Sequence, residues 1–293
     1  MTVRPPGRVA LVIEGGAMRG IFAAGVLDNF HEQAFFPFDL AIGVSVGASN
    51  MLSFLARQHG RTRRCFLDQM SRPEFIDPWR AVRGGHWLDL DWLWDAIERE
   101  DPLDRRAAAA CGVEYALVAT SVRTGAPCYL APGADDMLDA LKASCALPVL
   151  YKGTVRLGGE SYVDGGLSDP LPVREAYRRG ARTIVVVRSR AAHLVKDARV
   201  SSHIGAWALR REPGLVKAVR SAGTTYRDAV AFMQSPPADC QVIQVAPAVS
   251  LATRRTSRDR SALHRDYALG RALGQEAIER FEQLRGPTLD LAG

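Results

Sequence analysis

The chain has 293 residues, 47% of them hydrophobic and 24% charged, with a formal net charge of +6. That is material for one large α/β domain or two small ones, with ample residues for a core. No segment approaches 18 uninterrupted apolar residues, which excludes a membrane-spanning helix. The apolar run near the amino terminus is too short for a signal-peptide core. Cys65, Cys111, Cys128, Cys145 and Cys240 are odd in number and contain no C-x-x-C, which argues against a zinc site or disulfide framework and for reduced thiols in a cytosol. Lysine occurs only at Lys142, Lys152, Lys196 and Lys217, so the positive charge is mostly Arg, a bidentate phosphate binder. Genomic base composition produces the same bias. Nucleic acid is not an expected partner.

Val9 to Ile13 is an apolar run of strand length, apolar on both faces as a central parallel strand requires. It feeds Glu14-Gly15-Gly16-Ala17-Met18-Arg19-Gly20, then a helical pattern from Ile21 to Gln33 with Phe22, Val26 and Phe30 on one stripe. Phe38 to Ile42 reads as a second buried strand. After it, Gly43-Val44-Ser45-Val46-Gly47 spells G-x-S-x-G at a strand-to-helix turn, and the helix starting at Val46 continues through Arg57. A serine at the tip of such a turn has a strained backbone that exposes its hydroxyl, and the positions two before and two after must be tiny. The following helix aims its amino end at the site, where negative charge is stabilised. Alternatively, Ser45 merely caps that helix. The order gives a right-handed βαβ unit whose two loops meet at the carboxyl ends of adjacent strands.

The Gly loop has two readings. Dinucleotide binding would need glycine at position 17 and an acidic residue ending the second strand; Ala17 and Gly43-Val44-Ser45 stand there instead. The other reading is an oxyanion hole, in which N–H groups freed by small residues at a helix start face the serine adduct. Arg19 orders that loop, faces a phosphate, or is a solvated helix-start residue.

Between Met51 and Leu103 the pattern is irregular. Arg57, Arg61, Arg63 and Arg64 form a basic cluster, and Cys65 to Met70 looks helical. Pro73, Pro78 and Gly84-Gly85 punctuate a loop region containing Trp79, Trp87, Trp92 and Trp94, a candidate substrate-covering insertion over about residues 71–103, with ordinary core packing as the alternative. Tyr115 to Thr120 reads as a strand, Ser121 to Pro127 as a turn and Cys128 to Leu130 as a short returning strand. Met137 to Cys145 is helical and stops before Pro148. Thr154 to Val163 reads as a hairpin around Gly158-Gly159, leading into Asp164-Gly165-Gly166, in isolation a common turn. Val173 to Arg179 is an Arg-rich helix, and Thr183 to Arg188 and Gln241 to Ala246 are further strands. His203 to Gln234, with Trp207 and Phe232, reads as one or two basic helices, either solvated on one face or lying on an anionic membrane. Ser261 to Leu284 is a terminal helix whose Leu263, Tyr267, Leu273, Ile278 and Phe281 are available for packing.

Three motifs in this order, Gly15-Gly16-Ala17-Met18-Arg19-Gly20, Gly43-x-Ser45-x-Gly47 and Asp164-Gly165-Gly166, resemble the patatin-like phospholipase family across about Val9 to Ala246. Ala143 to Pro148 matches a small-residue segment that the family carries before its acidic motif. The third glycine of the family's first motif is replaced by Ala17, which adopts positive φ less readily. The resemblance implies a three-layer α/β/α fold with a mostly parallel sheet in one domain over 1–293, with a core of about 9–246 and a helical extension of about 250–285. It also implies a Ser45–Asp164 dyad that cleaves lipid carboxylic esters without a histidine, metal or cofactor. Gly15, Gly16, Ala17 and Val46 would supply oxyanion amides, with Arg19, Gly20, Gly43, Gly47, Gly165 and Gly166 supporting the motifs. A bare serine needs a base; Asp169 is the nearby rival, and glycines beside Asp164 favour its close approach. A Ser–Asp–His triad using His193, His203 or His264 and a non-catalytic membrane-surface or regulatory module are the alternatives. The expected location is cytoplasmic, with peripheral membrane contact, and the expected substrate is a lipid or other ester.

Overall fold

Apolar runs on β-branched residues favour buried parallel strands, and here four of them become neighbours in one sheet. In the computed structural model, residues 7–148, 150–193 and 209–285 are described. The first half comprises β1 (Arg8–Ile13), α1 (Ile21–Glu32), β2 (Leu40–Val44), α2 (Val46–Leu55), α3 (Arg61–Arg64), α4 (Pro78–Val82), α5 (Leu90–Glu100), α6 (Arg105–Ala109), β3 (Glu114–Ser121), β4 (Pro127–Leu130) and α7 (Met137–Cys145). The second half comprises β5 (Val155–Leu157), β6 (Glu160–Asp164), α8 (Val173–Arg178), β7 (Ala181–Val187), α9 (Pro213–Gln234), β8 (Gln241–Val245) and α10 (Arg260–Arg285). Strand order is β5-β6-β3-β2-β1-β7-β8, with β4 on β3; β3, β2, β1, β7 and β8 run parallel.

Successive side chains on a strand face opposite sides. In β1, Leu11 and Ile13 join a core beneath α1, α2 and α10, while Ala10 and Val12 join a second core beneath α8 and α9. The architecture is therefore three-layered, α/β/α, with a mostly parallel sheet.

Helix α1 is buried from Ile21 to Phe30 because α10 closes over the side that the sheet leaves open. The crossing is close because it is made of glycine. A Cβ at Gly25 would collide with the Tyr267 carbonyl, and one at Gly270 with that of Phe22. Two polar groups at the seam are satisfied: Asp28 accepts from the Tyr267 hydroxyl at 2.8 Å and from the Gly60 amide at 2.9 Å.

The region read as a Trp-containing loop contains two helices. Asp77 caps α4 by accepting from the Trp79 amide, and Asp89 caps α5 by accepting from that of Trp92. In α5 the buried positions Leu90, Leu93, Trp94 and Ile97 follow helical spacing, a stripe hidden in the sequence by half-exposed Trp92. Strand β2 reaches Val44, two residues past the expected end, so it runs directly into the elbow. Of the stretch read as one or two basic helices, His203 and Trp207 lie outside the described residues, and Pro213–Gln234 is one helix.

Substituting Gly25 or Gly270 with valine inserts a branched side chain into the α1–α10 seam. Each change is expected to destabilise the fold by about 1–3 kcal/mol, the usual cost of overpacking, read as a lower denaturation midpoint in urea. An unchanged midpoint would mean that the helices separate freely.

Candidate active site

Ser45 sits at φ 55° and ψ −131°, a strained conformation for a residue with a side chain, and its side chain makes no capping hydrogen bond to α2. The alternative of a simple helix cap therefore fails. Both flanking glycines are required by close approach: a Cβ at Gly43 would lie 2.5 Å from Ala48 Cα, and one at Gly47 2.6 Å from the Ile13 carbonyl oxygen. Ser144, at the end of α7, fixes the turn from behind. Its hydroxyl accepts from the Ser45 amide at 2.9 Å and donates to the Val118 carbonyl at 2.7 Å.

Strand register brings Asp164 to the same point. Leu117 and Val118 pair with both β2 and β4, while Ala119 and Thr120 pair with both β4 and β6. A strand has only two edges, so β2 and β6 occupy successive stretches of one edge of β3. Val118 faces Val44, the residue before Ser45, and Ala119 faces Asp164. The two motifs thus meet end to end. Asp164 is 4% exposed; its Oδ1 accepts from the Gly166 amide at 2.7 Å, and its own amide donates to the Ala146 carbonyl at 3.0 Å. A Cβ at Gly165 would strike the Val118 carbonyl, so only glycine permits this approach. The Cys145 thiol neighbours Ser45, and burial, with the Asp164 charge nearby, pushes its pKa up.

The Gly loop lies across Ser45: a Cβ at Gly15 would be 2.9 Å from Ser45 Cβ. Ala17 takes φ 48°, so alanine occupies the left-handed region where the family motif has glycine. The Met18 amide is committed to the Arg255 carbonyl at 3.2 Å, the Arg19 amide to that of Gly16 at 3.2 Å, and the Ser45 amide to Ser144. Those three are thereby removed as oxyanion donors. Glu14, 3% exposed, anchors the loop base by accepting from the Ser189 amide at 2.8 Å and pairing with Arg190 at 3.2 Å. Arg19 is half-buried rather than solvated; burial and the charges of Arg190 and Arg255 lower its pKa to about 10.

A cavity of about 510 Å³ contains Ser45, Asp164, Gly15, Gly16, Ala17 and Val46 on its wall. Its apolar side includes Phe75, Leu90, Leu93 and Trp94 from the insertion. Of the other tryptophans, Trp87 and Trp92 pack against the core and Trp79 is 70% exposed. Asp169 is not on this wall: it borders a separate cavity and accepts from the Tyr129 hydroxyl at 2.7 Å, and burial raises its pKa. Among the described residues no histidine lines the Ser45 cavity; His193 and His264 are exposed, and His203 lies outside the described residues. Nor, among the described residues, does any cluster of His, Cys, Asp or Glu have the arrangement of a metal site. Sequence reasoning missed Glu14, Ser144, Cys145, Arg190 and Arg255. Ser144 and Cys145 lay in the small-residue segment at a helix end that the resemblance marked without giving either residue a role, and the two arginines carry no motif.

Comparison with known proteins gives matches to two family models, a bacterial relative and a solved structure. The model of the family described as patatin-like phospholipase matches residues 11–177, and one described as a domain of unknown function matches residues 212–285. An uncharacterized protein of Escherichia coli (strain K12), YjjU, is 39% identical over 282 residues, covering 94% of this chain and 79% of that protein. Among solved structures, VipD from Legionella pneumophila aligns with a TM-score of 0.45 at 14% identity, covering 94% of this chain and 67% of that one.

Ser144→Ala removes the one hydroxyl that satisfies both the Ser45 amide and the Val118 carbonyl. Leaving such groups buried without partners costs about 1–3 kcal/mol, and chemical denaturation should show a loss of that size. A loss under about 0.5 kcal/mol would indicate that the elbow does not depend on this bridge.

Proposed function

The chain belongs to the patatin-like phospholipase family, and from that premise we propose that it is a serine acyl hydrolase that cleaves lipid carboxylic esters with a Ser45–Asp164 dyad. The observation that carries this is the shared edge of β3, which sets the Ser45 elbow against buried Asp164 in one cavity. In the proposed reaction Asp164 accepts the proton of Ser45 as Oγ attacks the acyl carbonyl. The oxyanion is held by the Gly15, Gly16, Ala17 and Val46 amides, each good donor contributing about 3–4 kcal/mol to the transition state. Asp164 returns the proton to the departing alcohol and then activates water to release the acid.

Two features support a lipid substrate. The apolar wall contributed by the insertion suits an acyl chain. On the same insertion Trp79 and Val82 stand 70% and 78% exposed beside Arg83, a combination suited to peripheral contact with an anionic bilayer. Among the described residues no helix is long and apolar enough to cross a membrane.

Ester hydrolysis across a series of acyl lengths tests the proposal. Ser45→Ala and Asp164→Ala are each expected to lower kcat by at least about 10³-fold, the scale seen when a nucleophile or its base is removed. Parental turnover in the Ser45→Ala protein would remove the nucleophile assignment; parental turnover in Asp164→Ala would hand the base to another group. Leu93→Trp fills part of the acyl wall and should move the chain-length optimum to shorter esters. An unmoved optimum would place the acyl chain elsewhere.

A further inference from the structure

Three guanidinium groups, Arg19, Arg190 and Arg255, gather behind and beside the Gly loop, close enough that Arg190 and Arg255 each lower the pKa of Arg19. The buried acid among them is Glu14, paired with Arg190. Like charges brought together destabilise one another unless an anion joins them; Arg19 is half-buried, whereas Arg255 is exposed to solvent. Among the described residues, Arg19 Nε and Nη2 are buried without a hydrogen-bond partner. Among the described residues the Arg255 guanidinium forms no ion pair or hydrogen bond, although it stands on the wall of the Ser45 cavity within the field of Asp164. Arg190 lines the same cavity.

Arg255 comes from the carboxyl-terminal stretch that matches the domain of unknown function. Within that stretch β8 pairs with β7 in the sheet and α9 packs on the second core, and two further contacts bear on the Gly loop. Helix α10 crosses α1 through Gly25 and Gly270, and the Arg255 carbonyl receives the Met18 amide of the Gly loop. The backbone contact fixes where residue 255 sits, and its side chain then faces the cavity that holds Ser45.

We propose that Arg255 and Arg190, backed by Arg19, form an anion subsite for a phosphate group carried by the alcohol portion of the ester, and that residues 212–285 serve the active site by supplying Arg255. This rests on the acyl-hydrolase assignment of Ser45. Arginine suits the task because its planar fork grips phosphate oxygens in pairs. The apolar wall takes the acyl chain, while the arginines face the Gly-loop side, so an ester spanning the two brings its carbonyl to Ser45. Free phosphate is the minimal ligand.

Two measurements test this in the full-length chain. In Ser45→Ala protein, inorganic phosphate and glycerol 3-phosphate, titrated calorimetrically, should bind saturably, and an added Arg255→Gln should weaken both by tenfold or more. In the active chain, kcat/KM is compared for a lysophosphatidylglycerol and a monoacylglycerol of equal acyl length. The ratio of the two should fall at least tenfold in Arg255→Gln, chiefly through KM, with partial recovery in Arg255→Lys. Phosphate binding indifferent to Arg255→Gln, or equal losses on both esters, would overturn the subsite. Binding lost without a change in the ratio would assign the site to free phosphate and overturn the headgroup role. If neither ester is hydrolysed by the parental chain, the acyl-hydrolase assignment fails, while the phosphate titration still judges the anion site separately.

Discussion

One edge of β3 does the positioning on which the site depends. A strand edge normally serves one neighbour along its length; here β2 uses the first stretch and β6 the next, running in opposite directions. The ends of two distant chain segments therefore abut, and those ends carry Ser45 and Asp164. The arrangement tolerates no side chain at the junction, because a Cβ at Gly165 or Gly43 would meet backbone atoms. Ser144 adds a third anchor by joining the Ser45 amide to the Val118 carbonyl on that same strand. Strain at Ser45, of the order of 1–3 kcal/mol for such a backbone, is sustained because the surrounding contacts permit no relaxed alternative.

The second constraint is electrostatic. In the proposed reaction, amides of the Gly loop and the start of α2 would supply partial positive charge to the oxyanion, and Arg190 and Arg255 on the same cavity wall add full positive charge. Such a concentration needs support, and it comes from both halves of the chain. Glu14 at the end of β1 holds Ser189 and Arg190, while the segment before α10 holds Met18. The glycine seam between α1 and α10 thus bears on the loop that faces Ser45, linking the packing of a surface helix to the geometry of the site.

Much of this was legible in the sequence, for identifiable reasons. Buried parallel strands are apolar on both faces, so β1, β2 and β7 declared themselves. The elbow was visible because the close approach of strand and helix forces glycine at positions 43 and 47. Asp164 was named by the family resemblance and preferred to Asp169 for the glycines beside it, and the structure gives the reason for Gly165 in the Val118 carbonyl. Elements whose signal is spread thin were not legible. Helix α5 was obscured by Trp92, which stands off its buried stripe, and its cap, Asp89, looks like any loop aspartate. Ser144 acts through one hydroxyl on partners 99 and 26 residues away, a relation with no local pattern. Arg255 is one arginine among many, distinguished only by the backbone contact with Met18 that places it before α10. Ala17 was expected to resist positive φ and nevertheless adopts it, because the contacts of the loop outweigh the local preference.

The most direct test of the central claim is covalent trapping. The parental chain is treated with a fluorophosphonate and the adduct is located by peptide mass spectrometry. A single phosphonyl group on the Ser45 peptide, formed much more slowly in Asp164→Asn, is the predicted result. Labelling at another serine, or none at Ser45 in protein shown to be folded, would contradict the account and leave the elbow a structural turn.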